Sequence, residues 1–133
     1  MLNGHCNCGA VSFEIDMDLK DIIICHCSIC RRWSGVTGMA VSIVPTDRFR
    51  WSAGENEVSY WQKPDGDWQS SFCPTCGSAL PGANDDKSFF VPVGLLPGDI
   101  EDLRVSHHIW VDSKADWDEI GDNGKQHLTT YQG

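Results

Sequence analysis

The sequence predicts a mainly β fold, built of antiparallel sheets with few short helices. Three observations carry that expectation. Apolar residues recur mostly with a period of two, helix start signals are sparse, and all seven cysteines fall in three tight clusters suited to strand ends and turns.

Taken in order along the chain, Val11, Phe13 and Ile15 alternate with polar residues, as a strand with one buried face requires. Ile22-Ile23-Ile24 leads directly into Cys25, and Met39 to Val44 reads as a further strand. Val58-Ser59-Tyr60-Trp61 and Trp68 to Phe72 flank Lys63-Pro64-Asp65-Gly66, a turn in which proline presets φ and glycine tolerates positive φ. Phe89-Phe90-Val91-Pro92-Val93 and His108-Ile109-Trp110-Val111 complete the predicted strands, with Pro92 pointing to an edge position or a bulge. Ser113 and Asp116 form a Ser-x-x-Asp start signal that marks at most a short helix or turn. The polar segment from about 121 to 133 reads as a loose tail, with Tyr131 as its docking candidate. No repeat, linker or low-complexity stretch divides residues 1–133, so a single domain is expected.

The formal net charge is −9, which disfavours nucleic acid and anionic membranes as partners. Seven thiolates and two divalent ions would carry it to about −12. The compact basic feature is Arg31-Arg32 alone. No apolar run is long enough to span a bilayer. The start, Met1-Leu2-Asn3-Gly4-His5-Cys6, lacks the basic and apolar regions of a signal peptide. A cytoplasmic, reducing location is therefore expected, in which clustered cysteines serve as metal ligands more often than as disulfides.

The clusters are Cys6-Asn7-Cys8, Cys25-His26-Cys27-Ser28-Ile29-Cys30 and Cys73-Pro74-Thr75-Cys76, the last followed by Gly77. A tetrahedral zinc ion holds thiolates at about 2.3 Å, so its ligand sulfurs lie within about 4 Å of one another. Cysteines two apart on an extended chain project from one face and can share an ion. Cysteines three apart do so across a tight turn, for which Gly77 supplies the left-handed backbone. Cys6, Cys8, Cys73 and Cys76 would thus close one structural site, contributing on the order of 10 kcal/mol to folding. Cys25, Cys27 and Cys30 remain, and three protein ligands with an open fourth position is the pattern of a catalytic zinc. Alternatives stay open at this point. A disulfide framework leaves one thiol over, since seven is odd. A thioredoxin-like motif lacks its βαβ context, and the spacings do not fit the familiar iron–sulfur runs. His26 could complete a three-cysteine, one-histidine site, although its position between two ligands of a strand turns its side chain away from them.

The combination of Gly4-x-Cys6-x-Cys8-Gly9-x-Val11-x-Phe13, Cys25-His26-Cys27-Ser28-x-Cys30-Arg31-x-x-Ser34-Gly35, Phe72-Cys73-x-x-Cys76-Gly77-Ser78-x-Leu80 and His108-Ile109-Trp110-Val111-x-Ser113-Lys114-Ala115-x-Trp117 resembles the glutathione-dependent formaldehyde-activating enzyme family, which includes centromere protein V. The resemblance spans residues 4 to 117. It implies a β-tent zinc-binding fold, shared with methionine sulfoxide reductase B and the Rab-binding exchange accessory proteins. It also implies a structural zinc on Cys6, Cys8, Cys73 and Cys76, a second zinc on Cys25, Cys27 and Cys30, and carbon–sulfur lyase chemistry on a hydroxymethyl adduct of glutathione.

A zinc held by three thiolates is a weaker Lewis acid than one held by neutral histidines, and a soft site suits a fourth sulfur ligand better than hydroxide. A glutathione-like thiol is therefore the expected partner, added reversibly to a small aldehyde. Arg31 is the candidate for clasping a substrate carboxylate, Ser34 for donating to an oxyanion, and His108 for general acid. Each has a plain counterpart: a surface ion pair, turn chemistry, a satisfied strand histidine. Trp110 and Trp117 line a pocket or belong to the core. The alternative to an enzyme is a non-catalytic interaction module with two structural zinc sites, because fold does not fix function. Exposed strand edges make a homodimer an expectation.

Overall fold

In the computed structural model, residues 1–131 are described. They form β1 (Leu2–His5), β2 (Ser12–Ile15), β3 (Asp21–Cys25), α1 (Ser28–Ser34), β4 (Met39–Pro45), β5 (Phe49–Ala53), β6 (Ser59–Gln62), β7 (Gln69–Phe72), β8 (Gly82–Ala83), β9 (Ser88–Pro92), β10 (Arg104–Ile109) and β11 (Lys125–Gln126), joined by short 3-10 turns. The fold is mainly β, with one α-helix among the described residues. No helix is long and apolar enough to cross a membrane. The chain gathers into two units, each drawn from two stretches: Met1–Asp18 with Ile43–Asp99, and Leu19–Ser42 with Ile100 onward.

The first unit holds an antiparallel sheet of order β1-β2-β5, the ribbon β6-β7 and the pair β8-β9. The alternation in β2 works as the sequence requires, because Phe13 and Ile15 are fully buried while Ser12 and Glu14 are not. The Phe13 ring stacks on Phe49 at 5.4 Å, and Phe49 meets Phe89 edge-on at 4.2 Å. Gly4 pairs with Phe13 across the ladder, and a methyl group there would sit 2.3 Å from the phenyl ring. That glycine is therefore a space requirement of the aromatic core. A second cluster packs Cys6, Val11, Val58, Cys73 and Leu80 together, so two cysteines are part of the core itself. Pro92 is the last residue of β9, where the chain leaves the ladder for a turn and a missing N–H costs nothing.

The second unit departs from the antiparallel expectation. β3 pairs antiparallel with β4 but parallel with β10, and β10 pairs parallel with β11. Parallel neighbours need long connections, so strand pattern alone does not reveal them. β10 also ends sooner than the predicted strand. It stops at Ile109 because Trp110 takes the left-handed conformation at φ 56°, after which Val111–Ser113 turn. The Ser113 start signal yields no helix; Asp118 N–H donates to the Ala115 carbonyl in a turn instead. Trp110 and Trp117 are not core, being 37% and 73% exposed on these turns.

The end of the chain runs alongside β10. His127 N–H donates to the His108 carbonyl, Val111 N–H to His127 and Trp110 N–H to Thr129. The Tyr131 ring stacks on His107 at 3.8 Å. Residues 132 and 133 of the tail lie outside the described residues.

Replacing Gly4 by Ala is expected to destabilise the protein by about 1–3 kcal/mol, since the fully buried Phe13 ring has no room to yield. Urea unfolding measures this, and a wild-type midpoint would contradict the packing described.

Candidate metal centres

The chain brings its seven cysteines into two groups, one in each unit. In the first, the sulfurs of Cys6, Cys8, Cys73 and Cys76 all lie within 4.8 Å of one another. Both contributing loops are built alike. Gly9 N–H donates back to the Cys6 carbonyl with Gly9 at φ 82°, and Gly77 N–H to the Cys73 carbonyl with Gly77 at φ 79°. Positive φ at these positions is what glycine permits. The loops are tied together by the Asn7 N–H, which donates to Ser78 Oγ at 3.0 Å. That oxygen lies 3.2 Å from Cys76 Sγ, within hydrogen-bond distance of the sulfur. The Ser78 hydroxyl and backbone thereby pull the Cys76 thiol down to about 5. At Cys8 the Ala10 N–H pulls the thiol down, but burial and the neighbouring thiols prevail and raise it to about 11.

The Cys6–Cys8 and Cys8–Cys73 sulfur separations are 3.6 and 3.8 Å. A tetrahedron of thiolates about 2.3 Å from zinc has edges of about 3.8 Å. The tetrad thus fits a zinc ion. A cleft of about 500 Å³ opens beside it, lined by His5, Asn7, Ser78 and Leu95 among others, all in the first unit.

In the second unit, Cys25, Cys27 and Cys30 converge to within 4.8 Å, and no fourth Cys, His, Asp or Glu donor joins them among the described residues. Cys25 ends β3, set between Ile109 of β10 and Met39 of β4. Gly38 passes so close to the Cys25 carbonyl that a methyl group would lie 2.7 Å from its oxygen. Cys27 is the N-cap of α1, its sulfur accepting the Cys30 N–H at 3.3 Å. Cys30 lies in the first turn of that helix, which closes on Gly35 at φ 73°. The hydrogen bond from Cys30 pulls the Cys25 thiol down to about 6, and the same contact pushes Cys30 up. This trio offers soft sulfur donors suited to zinc.

The remaining sequence candidates lie as follows. His26 follows the end of β3, is not among the converging donors of the trio, and is 2% exposed. Its Nε2 lies 2.8 Å from His108 Nδ1, one ring N–H donating to the other ring's bare nitrogen. His108 is equally buried, and its Nε2–H donates to Asp122 Oδ1 at 2.8 Å. Both ring nitrogens of His108 are therefore engaged within this chain of side chains. At the other end, His26 Nδ1 lies 3.5 Å from Asp118 Oδ2, and neither atom has a hydrogen-bond partner. Burial pushes the His26 imidazole below its ordinary value, and the His108 hydrogen bond holds the Asp122 carboxyl below the usual carboxylate range. Asp118 and Asp122 were not legible as site residues. The one available signal was that two buried histidines need polar partners.

Arg31 is half-buried in α1, its Nε buried without a hydrogen-bond acceptor among the described residues. Ser34 Oγ donates to the Cys30 carbonyl at 2.8 Å, so an oxyanion role requires that bond to break.

The family model described as glutathione-dependent formaldehyde-activating enzyme matches residues 1–113. The chain belongs to this family. A curated relative from Halomonas elongata, provisionally named as a glutathione-dependent formaldehyde-activating enzyme, is 28% identical over 127 residues, covering 90% of this chain and 81% of its own. A crystal structure of a Rhodobacter sphaeroides protein is similar at 27% identity with a TM-score of 0.59, covering 72% of this chain and 88% of its own. For this member of the glutathione-dependent formaldehyde-activating family, the ligand counts imply an order of metal loss. A chelator at neutral pH is expected to remove the trio's metal first with the fold intact, and the tetrad's later with unfolding. Metal analysis alongside circular dichroism follows both, and a tetrad that empties while the trio stays loaded would contradict the assignment.

Proposed function

We propose that the chain is a zinc-dependent carbon–sulfur lyase that makes and breaks the bond between a glutathione-like thiol and a small aldehyde. The observation that supports this reading is the trio, whose three convergent sulfurs have the protein-ligand count of a catalytic site. Zinc held by Cys25, Cys27 and Cys30 would supply a soft Lewis acid that favours the ionised form of a thiol. In the cleavage direction a hydroxymethyl thioether gives up its hydroxyl proton and its carbon–sulfur bond breaks, the electron pair going to sulfur. The products are a thiol and formaldehyde, so no oxidant or reductant is needed.

The chain's own residues position the substrate. Arg31 follows the last ligand directly and carries a guanidinium that makes no ion pair among the described residues. On a chain of net charge −9, it offers a planar fork for a substrate carboxylate next to the sulfur site. Ser34 braces Cys30 through its carbonyl and so helps hold the third sulfur in place.

The experiment mixes zinc-loaded protein with glutathione and formaldehyde and follows exchange between free and adduct carbon by NMR. Exchange is expected to rise in proportion to protein concentration. Arg31→Gln is expected to raise the half-saturating glutathione concentration about tenfold, with little change at saturation. Exchange no faster than in buffer refutes the lyase reading for this substrate and leaves an interaction module with two structural zinc ions.

A further inference from the structure

The buried chain Asp118–His26–His108–Asp122 is not explained by the reaction. His26 stands between two ligands of the trio, so whatever fixes its ring also fixes the backbone that presents Cys25 and Cys27. Two contacts do so. The His26 N–H donates to the Ile109 carbonyl, and its ring meets His108 at 2.8 Å. His108 in turn donates to Asp122 Oδ1, which also accepts the Gly124 N–H at 2.8 Å. Gly124 lies close against this pair, since a methyl there would sit 2.9 Å from Asp122 Oδ1 and 3.0 Å from the His108 ring. The turn 122–124 is thus moulded onto His108, and the chain then enters β11 alongside β10. At the other end, Lys114 Nζ donates to the carbonyls of Ala115 and Asp118 and folds the turn that places the Asp118 carboxylate opposite His26. Both carboxylates lie beyond residue 113, where the family match stops.

We infer that residues 114–126 form a strap that positions the trio, with Asp122 and His108 as positioning residues acting through His26. The inference rests on the trio holding a metal, as proposed above, and is independent of the reaction. Asp122 works as a hydrogen-bond acceptor that sets the direction of the His108 ring. His108 then sets the ring of His26, and the Cys25–Cys27 backbone follows. Groups that hold a metal-binding shell from behind commonly change metal affinity 10–100-fold when removed.

The test uses the full chain loaded with two zinc ions, with release to a colorimetric chelator followed in time. The tetrad serves as internal reference. Asp122→Ala is expected to speed release from the trio at least tenfold and to leave release from the tetrad unchanged. Asp122→Asn keeps a carbonyl oxygen for His108 and is expected to stay within about threefold of wild type. Equal acceleration at both sites, no acceleration in Asp122→Ala, or an Asn variant as fast as the Ala variant would each overturn the strap. A second readout needs no metal. In the metal-free protein, Asp122→Ala is expected to shift the ring nitrogen resonances of both His108 and His26, and an unmoved His26 would also overturn it. Wild-type protein that takes only one zinc ion defeats the lyase reading, while the nitrogen shifts still decide the strap.

Discussion

Convergence of sulfur is the constraint on which the rest depends. Four sulfurs gathered within 4.8 Å of one another, two of them fully buried in the core, cannot all be ionised without a cation among them. Without metal the protons are divided unequally, with the Cys76 thiol pulled down to about 5 and the Cys8 thiol up at about 11. A zinc ion held there would replace that division with four equivalent charges around +2. The closure spans residues 6 to 76, and the cluster of Val11, Val58 and Leu80 is packed directly around it. A metal bound there would therefore stabilise the same contacts as the apolar core of the first unit.

The trio is assembled by a different device. Its sulfurs come from a strand end, a helix cap and the first helical turn, so their spacing depends on the junction of β3 and α1. A junction is a weaker brace than two facing loops. Around it the chain places Gly38 against the Cys25 carbonyl, Ser34 on the Cys30 carbonyl and the His26–His108 pair behind the ligand backbone. Arg31 sits on the same helix, which brings a cation and the soft site together with no further element. The sulfurs are thus divided between the units, four to one and three to the other.

Much of this was legible in the sequence, for physical reasons. Cysteine spacing anticipated the grouping of the seven sulfurs as four and three, because zinc geometry leaves few ways to share them. Alternation marked β2, and apolar runs marked β3, β4 and β9. The helix α1 was hidden: it has seven residues, none buried, with no acidic residue in its first turn, and its N-cap is a cysteine that reads as a ligand. Parallel pairing of β3 with β10 was hidden because the partners are far apart in the chain. The left-handed Trp110, which cuts β10 short, carries no local signal in a bulky residue. Asp118 and Asp122 stand in a polar, acidic stretch, and the histidines that give them meaning are joined across 82 positions.

The most direct test of the sulfur division is zinc X-ray absorption on protein carrying two ions per chain, before and after addition of glutathione. Four ligands at one site and three at the other predict a mean of about 3.5 sulfurs per zinc, rising to about 4 when the thiol binds. A mean of 4 from the outset, or a value that glutathione leaves unchanged, would contradict a trio open to a substrate sulfur.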